Sequence, residues 1–316
     1  MGRYTLQRLI STIPVLIVVS IVTFTLIRVL PGDVAVTRLG ENANPENVAK
    51  LREIMGLDRP IVVQYFDWGG DLLRGEPGRS LNSDLPVGDQ LLKRLPITIE
   101  LTIFSLILSI IIGIPLGVIS ATKRNTPLDH SVRVLAVLGQ AIPNFWLAIL
   151  LLLFLSIQFQ WVPPFTYRSI FEAPIYNLKQ FILPVIVSGY ALSAITMRLT
   201  RSSLLEVLGQ DYIRTAKAKG LTNLQIMNRH ALRNALIPII TIVGTQLGAL
   251  IGGSIIVEQI FSLPGVGRLT LQAIADRDYT QLQFNVLFLA SVVVFTNLLV
   301  DLSYGFIDPR IRFSRS

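Results

Sequence analysis

The sequence contains no cysteine, which excludes disulfides, thiolate metal sites and a cysteine nucleophile. Its two histidines, His130 and His230, are too few and too far apart in sequence to suggest a metal cluster. Charge is scarce as well: 15% of residues are charged against 51% hydrophobic, and the mean hydropathy is +0.58. A soluble domain of 316 residues needs more charge than this to keep its surface wet, so the solvent of this chain is partly lipid. No glycine is followed by lysine, so the phosphate-cradling GxxxxGK[ST] loop is absent. The net charge of +8 comes without a basic stripe interleaved with aromatics, which argues against a nucleic-acid partner.

What is present in quantity is long apolar runs. A bilayer core takes about 20 apolar residues as a helix. Six stretches qualify: Leu9 to Ile27, Leu101 to Thr122, Val134 to about Gln158, Gln180 to Met197, Asn234 to Val257, and Leu282 to Val300. The first is too long for a signal-peptide core and lacks a small-residue cleavage site, so it is read as a true span. The expected fold class is therefore an all-α polytopic membrane protein with six spans. Lysine and arginine orient it: Arg3, Arg8, Lys123, Arg124 and Arg133, then seven more from Arg198 to Arg233, then Arg310, Arg312 and Arg315 fall on one side. The short connections on the other side hold only Arg168, Lys179, Arg268 and Arg277. By the positive-inside rule both termini are expected in the cytoplasm.

Two connections are unusual. Residues 31–95 are too long for a turn and are expected as an extracytoplasmic segment between the first span, 1–30, and the core, 96–307. Within it Asn44-Pro45-Glu46 reads as a helix start, and Gly56 as its stop. Ile61, Tyr65, Trp68 and Leu72 follow at helical spacing. This segment reads as a small cap packed on the spans, or as a contact surface, or as both. The other connection, within 199–236, reads as a helix over Asp211 to Lys219, capped by Asp211 and stopped by Gly220. A second helical pattern then runs from Leu221 to Arg233 and leads into Pro238. Helix, glycine and helix would make a rigid knob, while the charge pattern equally reads as a solvated basic loop.

At these residues the chain resembles the permeases of ABC-type importers, and in particular the B-type permease of dipeptide and oligopeptide systems. The family's cytoplasmic signature is Glu-Ala-Ala, three residues, Gly, then an apolar-x-Leu-Pro ending. Arg214, Thr215, Ala216 and Gly220 occupy its first part, and Ala235, Ile237 and Pro238 its last. The leading acid and first alanine are replaced and the gap to the proline is longer, as in the peptide branch, whose variant reads DYIRTAKAKGL and RHALRNALIP. The segments LREIMGLDRPIVVQYFDWGGDLLRGEPGRSL, EQIFSLPGVGRL (258–269) and DPRIRF (308–313) resemble the same branch. The resemblance implies a type I importer fold with an extracytoplasmic insertion after the first helix, in a bacterial inner membrane. It implies a heterodimer with a second permease, two ATPase subunits that use ATP and Mg, and an extracytoplasmic binding protein. No cofactor, catalytic residue or metal is expected in this chain. Short peptides are the expected cargo, with glutathione, nickel chelates and oligosaccharides sharing the pattern.

The resemblance also makes the loop around Arg214 to Gly220 a coupling helix seated in an ATPase groove. There Tyr212, Ile213 and Ala216 are expected to supply most of the contact, while Arg214 and Lys217 set orientation. In the fifth span Gly244, Gly248, Gly252 and Gly253 put small residues on one face, for close helix packing or as a smooth path wall, with Gln246 on another face. In the third, Gln140, Pro143 and Asn144 interrupt an apolar pattern, for a path or for interhelical bonding. Asp301 and Glu258 lie near span ends and read as boundary or packing residues rather than acid–base catalysts. A secondary carrier or channel is the competing reading, weakened because the span middles lack Asp, Glu and His.

Overall fold

The computed structural model describes residues 2–29, 34–40, 43–54 and 56–307, and these are almost wholly helical. Met55 and the DPRIRF ending with the tail 308–316 lie outside the described residues. The elements are α1 (Gly2–Val29), α2 (Val34–Leu39), α3 (Pro45–Ile54), α4 (Ile61–Leu73), α5 (Val87–Thr122), α6 (Pro127–Ala141) and α7 (Asn144–Phe159). Then come α8 (Pro174–Leu208), α9 (Asp211–Ala218), α10 (Asn223–Gln225), a π-helical turn (Ile226–Ala231), α11 (Leu232–Gly253), α12 (Ile255–Ile260), α13 (Val266–Ala275) and α14 (Tyr279–Ile307). Among the described residues four helices are long and apolar enough to cross a membrane, and six spans result if each of two bent pairs counts as one.

The bends correct the expectation of simple spans. The stretch Val134 to Gln158 is not one helix: α6 and α7 meet at 101°. Pro143 is the cause, since its ring lacks an N–H and forces the preceding residue, Ile142, into extended backbone (φ −81°, ψ 120°). The fifth span bends by 43° at Pro238 and stops at Gly253, so Val257 belongs to the separate α12.

The core is a parallel pair, α5 against α8, with Gly113 and Gly117 of α5 meeting Thr196 and Thr200 of α8 in the same order. The two helices have 36 and 35 residues, so each is about 50 Å long, well beyond a hydrocarbon core of about 30 Å. Both therefore project. Residues 87–95 of the inserted segment form the first turns of α5. Likewise residues 199–208 continue α8 and are not loop. Small residues let the pair approach: a Cβ on Gly117 would stand 2.5 Å from Thr200 Cβ and 2.8 Å from the Met197 carbonyl oxygen. Ser109 and Thr196 hydroxyls bond across the seam at 3.0 Å. With little hydrophobic drive between helices in lipid, close backbone packing and such bonds carry the association.

Around this pair α14 packs antiparallel to α11, and α1 packs on α14, tied by Arg8 to Asp301 at 3.0 Å. In the inserted segment Asn44 caps α3, accepting from the Asn47 N–H at 2.7 Å, and Gly56 follows in the left-handed region at φ 66°. Tyr65 and Trp68 of α4 pack on Phe24 of α1 at 5.3 and 5.4 Å between ring centroids. Farther on, the buried Asp278 carboxylate accepts from Ser80 Oγ and the Leu81 N–H, fixing the segment to the start of α14.

Candidate functional site

The knob grows directly from α8 and leads into α11. Gly209 and Gln210 turn the chain at the end of α8, and α9 begins at Asp211. The N-cap position is held by Gln210, not by the expected Asp211, which lies in the first turn as a favourable charge. After α9, Gly220 adopts φ 79°, where a side chain is strained, and its N–H bonds the Lys217 carbonyl at 2.9 Å. A capping box then starts the second limb: Thr222 Oγ1 accepts from the Gln225 N–H at 3.3 Å and Gln225 Oε1 from the Thr222 N–H at 3.0 Å. The π-helical turn Ile226–Ala231 joins that limb to α11.

The residues of α9 divide by face. Ile213 (0% exposed) and Ala216 (6%), three apart, sit in an apolar cluster with Ala121 of α5, Leu204 of α8, Ile226, Ala231 and Ala235. Burying an isoleucine side chain stabilises by about 1.5–3 kcal/mol, so this cluster seats the knob on its own chain. The partner contact expected of Ile213 and Ala216 is thereby corrected, because buried side chains cannot also meet another subunit. The outward face carries Tyr212, 41% exposed, with Arg214, Lys217 and Lys219. Arg214 reaches Asp211 only at 3.6 Å, with both side chains over 80% exposed, a pair worth about 0–1 kcal/mol at most. Tyr212 is held in place, its hydroxyl accepting from Asn234 Nδ2 at 2.9 Å.

The four residues expected along a path separate. Gln140 and Asn144, both exposed, flank the α6–α7 elbow. Gln246 is buried and donates to the Leu192 carbonyl of α8 at 3.4 Å. Gly248 faces Thr296 and Val293 of α14, and a Cβ on Gly244 would run into Val300. Gln246 and Gly248 thus lie in helix–helix interfaces, which does not suit a path-lining role. Of the glycine face, Gly252 and Gly253 alone open onto free space.

At the opposite end from the knob, Glu258 has no exposed surface. Its carboxylate accepts from Thr98 Oγ1 (2.7 Å), Ser254 Oγ (2.9 Å) and the Arg268 N–H (2.9 Å), while Thr98 Oγ1 accepts from the Val266 N–H (2.9 Å). Gly265 and Gly267 leave the room it occupies. Burial pushes this carboxyl up, and the three donors oppose the shift. Glu258 is thus a hydrogen-bonded packing residue that locks α5, α12 and α13 together. No group of three or more potential metal ligands occurs among the described residues. Sequence reading missed one further network, around Asp129, whose partner Arg201 is 72 residues away.

Long bent helices, a close-packed central pair and a projecting knob define a multi-pass membrane component of a transporter. The chain belongs to the family of the binding-protein-dependent transport system inner membrane component, whose model matches residues 113–313. The N-terminal model of the binding-protein-dependent transport system membrane component matches 1–102. Among curated relatives, the dipeptide transport system permease protein DppB of Alkalihalophilus pseudofirmus is 42% identical, over 99% of this chain and 100% of its own. The protein of that name in Escherichia coli K12 is 38% identical, with both chains covered in full. The inward-facing methionine ABC transporter MetNI superposes with a TM-score of 0.58 at 20% identity, covering 71% of this chain and 98% of that one. An amino acid ABC transporter with histidines gives 0.57 at 14% identity, covering 69% and 94%. The fold is that of an ABC importer transmembrane subunit.

Proposed function

We propose that this chain is the permease subunit of an ATP-driven importer of short peptides. With a second, distinct permease it encloses the path, while two ATPase subunits dock on the knob side and hydrolyse ATP with Mg. A binding protein delivers peptide to the opposite, extracytoplasmic side, and both termini of this chain lie in the cytoplasm. The observation that carries the substrate class is full-length similarity to two dipeptide permeases. What supports the ATPase contact is α9: apolar on its inner face, anchored through Ile213, and presenting Tyr212, Arg214 and Lys217 outward. The chain itself lacks a phosphate-binding loop, which leaves hydrolysis to a partner.

The test is reconstitution. The affinity-tagged chain, purified from its native membrane, should bring down a second permease and an ATPase. In proteoliposomes with ATP inside and binding protein outside, labelled dipeptide should accumulate only when all are present. Uptake by this chain alone, driven by an ion gradient, would establish the carrier reading instead.

A further inference from the structure

Two layers of side chains stack where α5, α6 and α8 come together beneath the knob. One is the apolar layer under α9, with Ala121, Leu204 and Ile213. Beside it lies a charged one. Asp129 has no exposed surface, and its carboxylate accepts from Arg201 Nε at 2.9 Å and Nη2 at 3.0 Å. Ser120 Oγ donates to it at 2.5 Å and the Asn125 N–H at 2.9 Å, while Arg133 stands at 3.5 Å. The layers share their scaffolds. On α5 the neighbours Ser120 and Ala121 enter one each, and on α8 Arg201 lies three residues before Leu204.

The seat of α9 and Asp129 are therefore joined by two short routes, Ala121 to Ser120 on α5 and Leu204 to Arg201 on α8. Asp129 stands in the first turn of α6, with Pro127 at the helix start and Thr126 as its cap. The far end of α6 is the 101° elbow. A buried ion pair adds little net stability over apolar side chains of the same volume, because both charges must leave water. What a two-bond guanidinium–carboxylate pair adds is a fixed direction, which apolar contacts lack.

We infer that Asp129 and Arg201 are positioning residues that tie α6 to the coupling helix, so that a shift of α9 swings α6 and moves the elbow. This rests on α9 being the ATPase contact proposed above. Asp129→Asn alone leaves the largely covered Arg201 without its carboxylate, and Arg201→Gln alone leaves Asp129 facing Arg133, so the decisive variant is the double one, Asp129→Asn with Arg201→Gln, which removes both charges of the pair. The reconstituted complex is compared with wild type for subunit stoichiometry, basal ATPase rate and stimulation by peptide-loaded binding protein. The double variant is expected to assemble fully and keep its basal rate, while stimulation falls about tenfold, a coupling loss of ordinary size. Arg201→Lys, which keeps the charge but loses the fork, should retain part of the stimulation. Wild-type stimulation in the double variant overturns the inference and leaves the importer reading intact. Loss of assembly in the double variant also overturns it, by making the pair a folding element. A wild-type complex that loaded binding protein never stimulates overturns the importer reading, and this inference with it.

Discussion

At the residue scale, the glycines of this chain do three different jobs, and the structure sorts them by what a methyl group would meet. At Gly117 it would meet the Thr200 side chain and the Met197 carbonyl, and backbone cannot step aside. At Gly252 it would meet nothing within 4 Å. Gly117→Ala should therefore cost about 1–3 kcal/mol through overpacking, whereas Gly252→Ala should be neutral or slightly stabilising. Thermal unfolding of the purified chain in detergent checks the pair: equal midpoints would mean that α5 and α8 are not packed this closely. Gly220 belongs to a third kind, with open space around it and φ 79°. There the cost of a side chain is purely backbone strain, about 1–2 kcal/mol. Gly220→Val should misaim α9 while membrane insertion persists, and it should lower substrate-stimulated ATPase activity. Unchanged stimulation would count against α9 as the coupling element.

At the scale of elements, local signals were legible in the sequence and distant pairings were not. The Asn44 cap and the Gly56 and Gly220 stops depend on residues within one turn, so composition announces them. The start of α5 at Val87 was hidden because Lys93 and Arg94 resemble loop residues. A helix longer than the bilayer carries such charges on its projecting turns. The elbow at Pro143 was announced only as an interruption, since one proline can kink a helix or break it. The Asp129–Arg201 and Glu258–Thr98 pairs join residues 72 and 160 apart, and no spacing rule reaches that far. For α9, spacing put Tyr212, Ile213 and Ala216 near one another but could not say which side of the helix would be covered. The burial of Ile213 leaves Tyr212 as the large apolar side chain that α9 itself exposes. Tyr212→Ala should weaken ATPase assembly about tenfold or more at every salt concentration, as loss of an aromatic anchor does. Lys217→Ala should weaken it chiefly at low salt, where exposed charges act over longer distances. Binding measured across a salt series separates them, and the reverse pattern would make the contact electrostatic at its centre.

At the scale of the whole molecule, the two ends of the bundle are built differently. The end where α9 projects carries an apolar seat beside a buried ion pair. The opposite end carries α3, α4 and the strap at 80–86, fixed to Asp278 and to Phe24. Residues 45–73 can be removed in principle without touching the Ser80–Asp278 anchor or any residue of the knob. Such a deletion should abolish peptide uptake while the ATPase subunits still co-purify; their loss would make the segment structural for the whole assembly.

The central claim is that α9 meets the ATPase, and the absence of cysteine lets a single introduced thiol be the one labelled site on this chain. Lys217→Cys places one thiol on the outward face of α9, and Leu73→Cys places one at the other end, where Leu73 is 91% exposed. A thiol-reactive photocrosslinker is attached to each in membranes that actively take up peptide. The account predicts that the Lys217→Cys chain crosslinks to the ATPase subunit and the Leu73→Cys chain does not. A crosslink to the ATPase from position 73, with none from position 217, would contradict it.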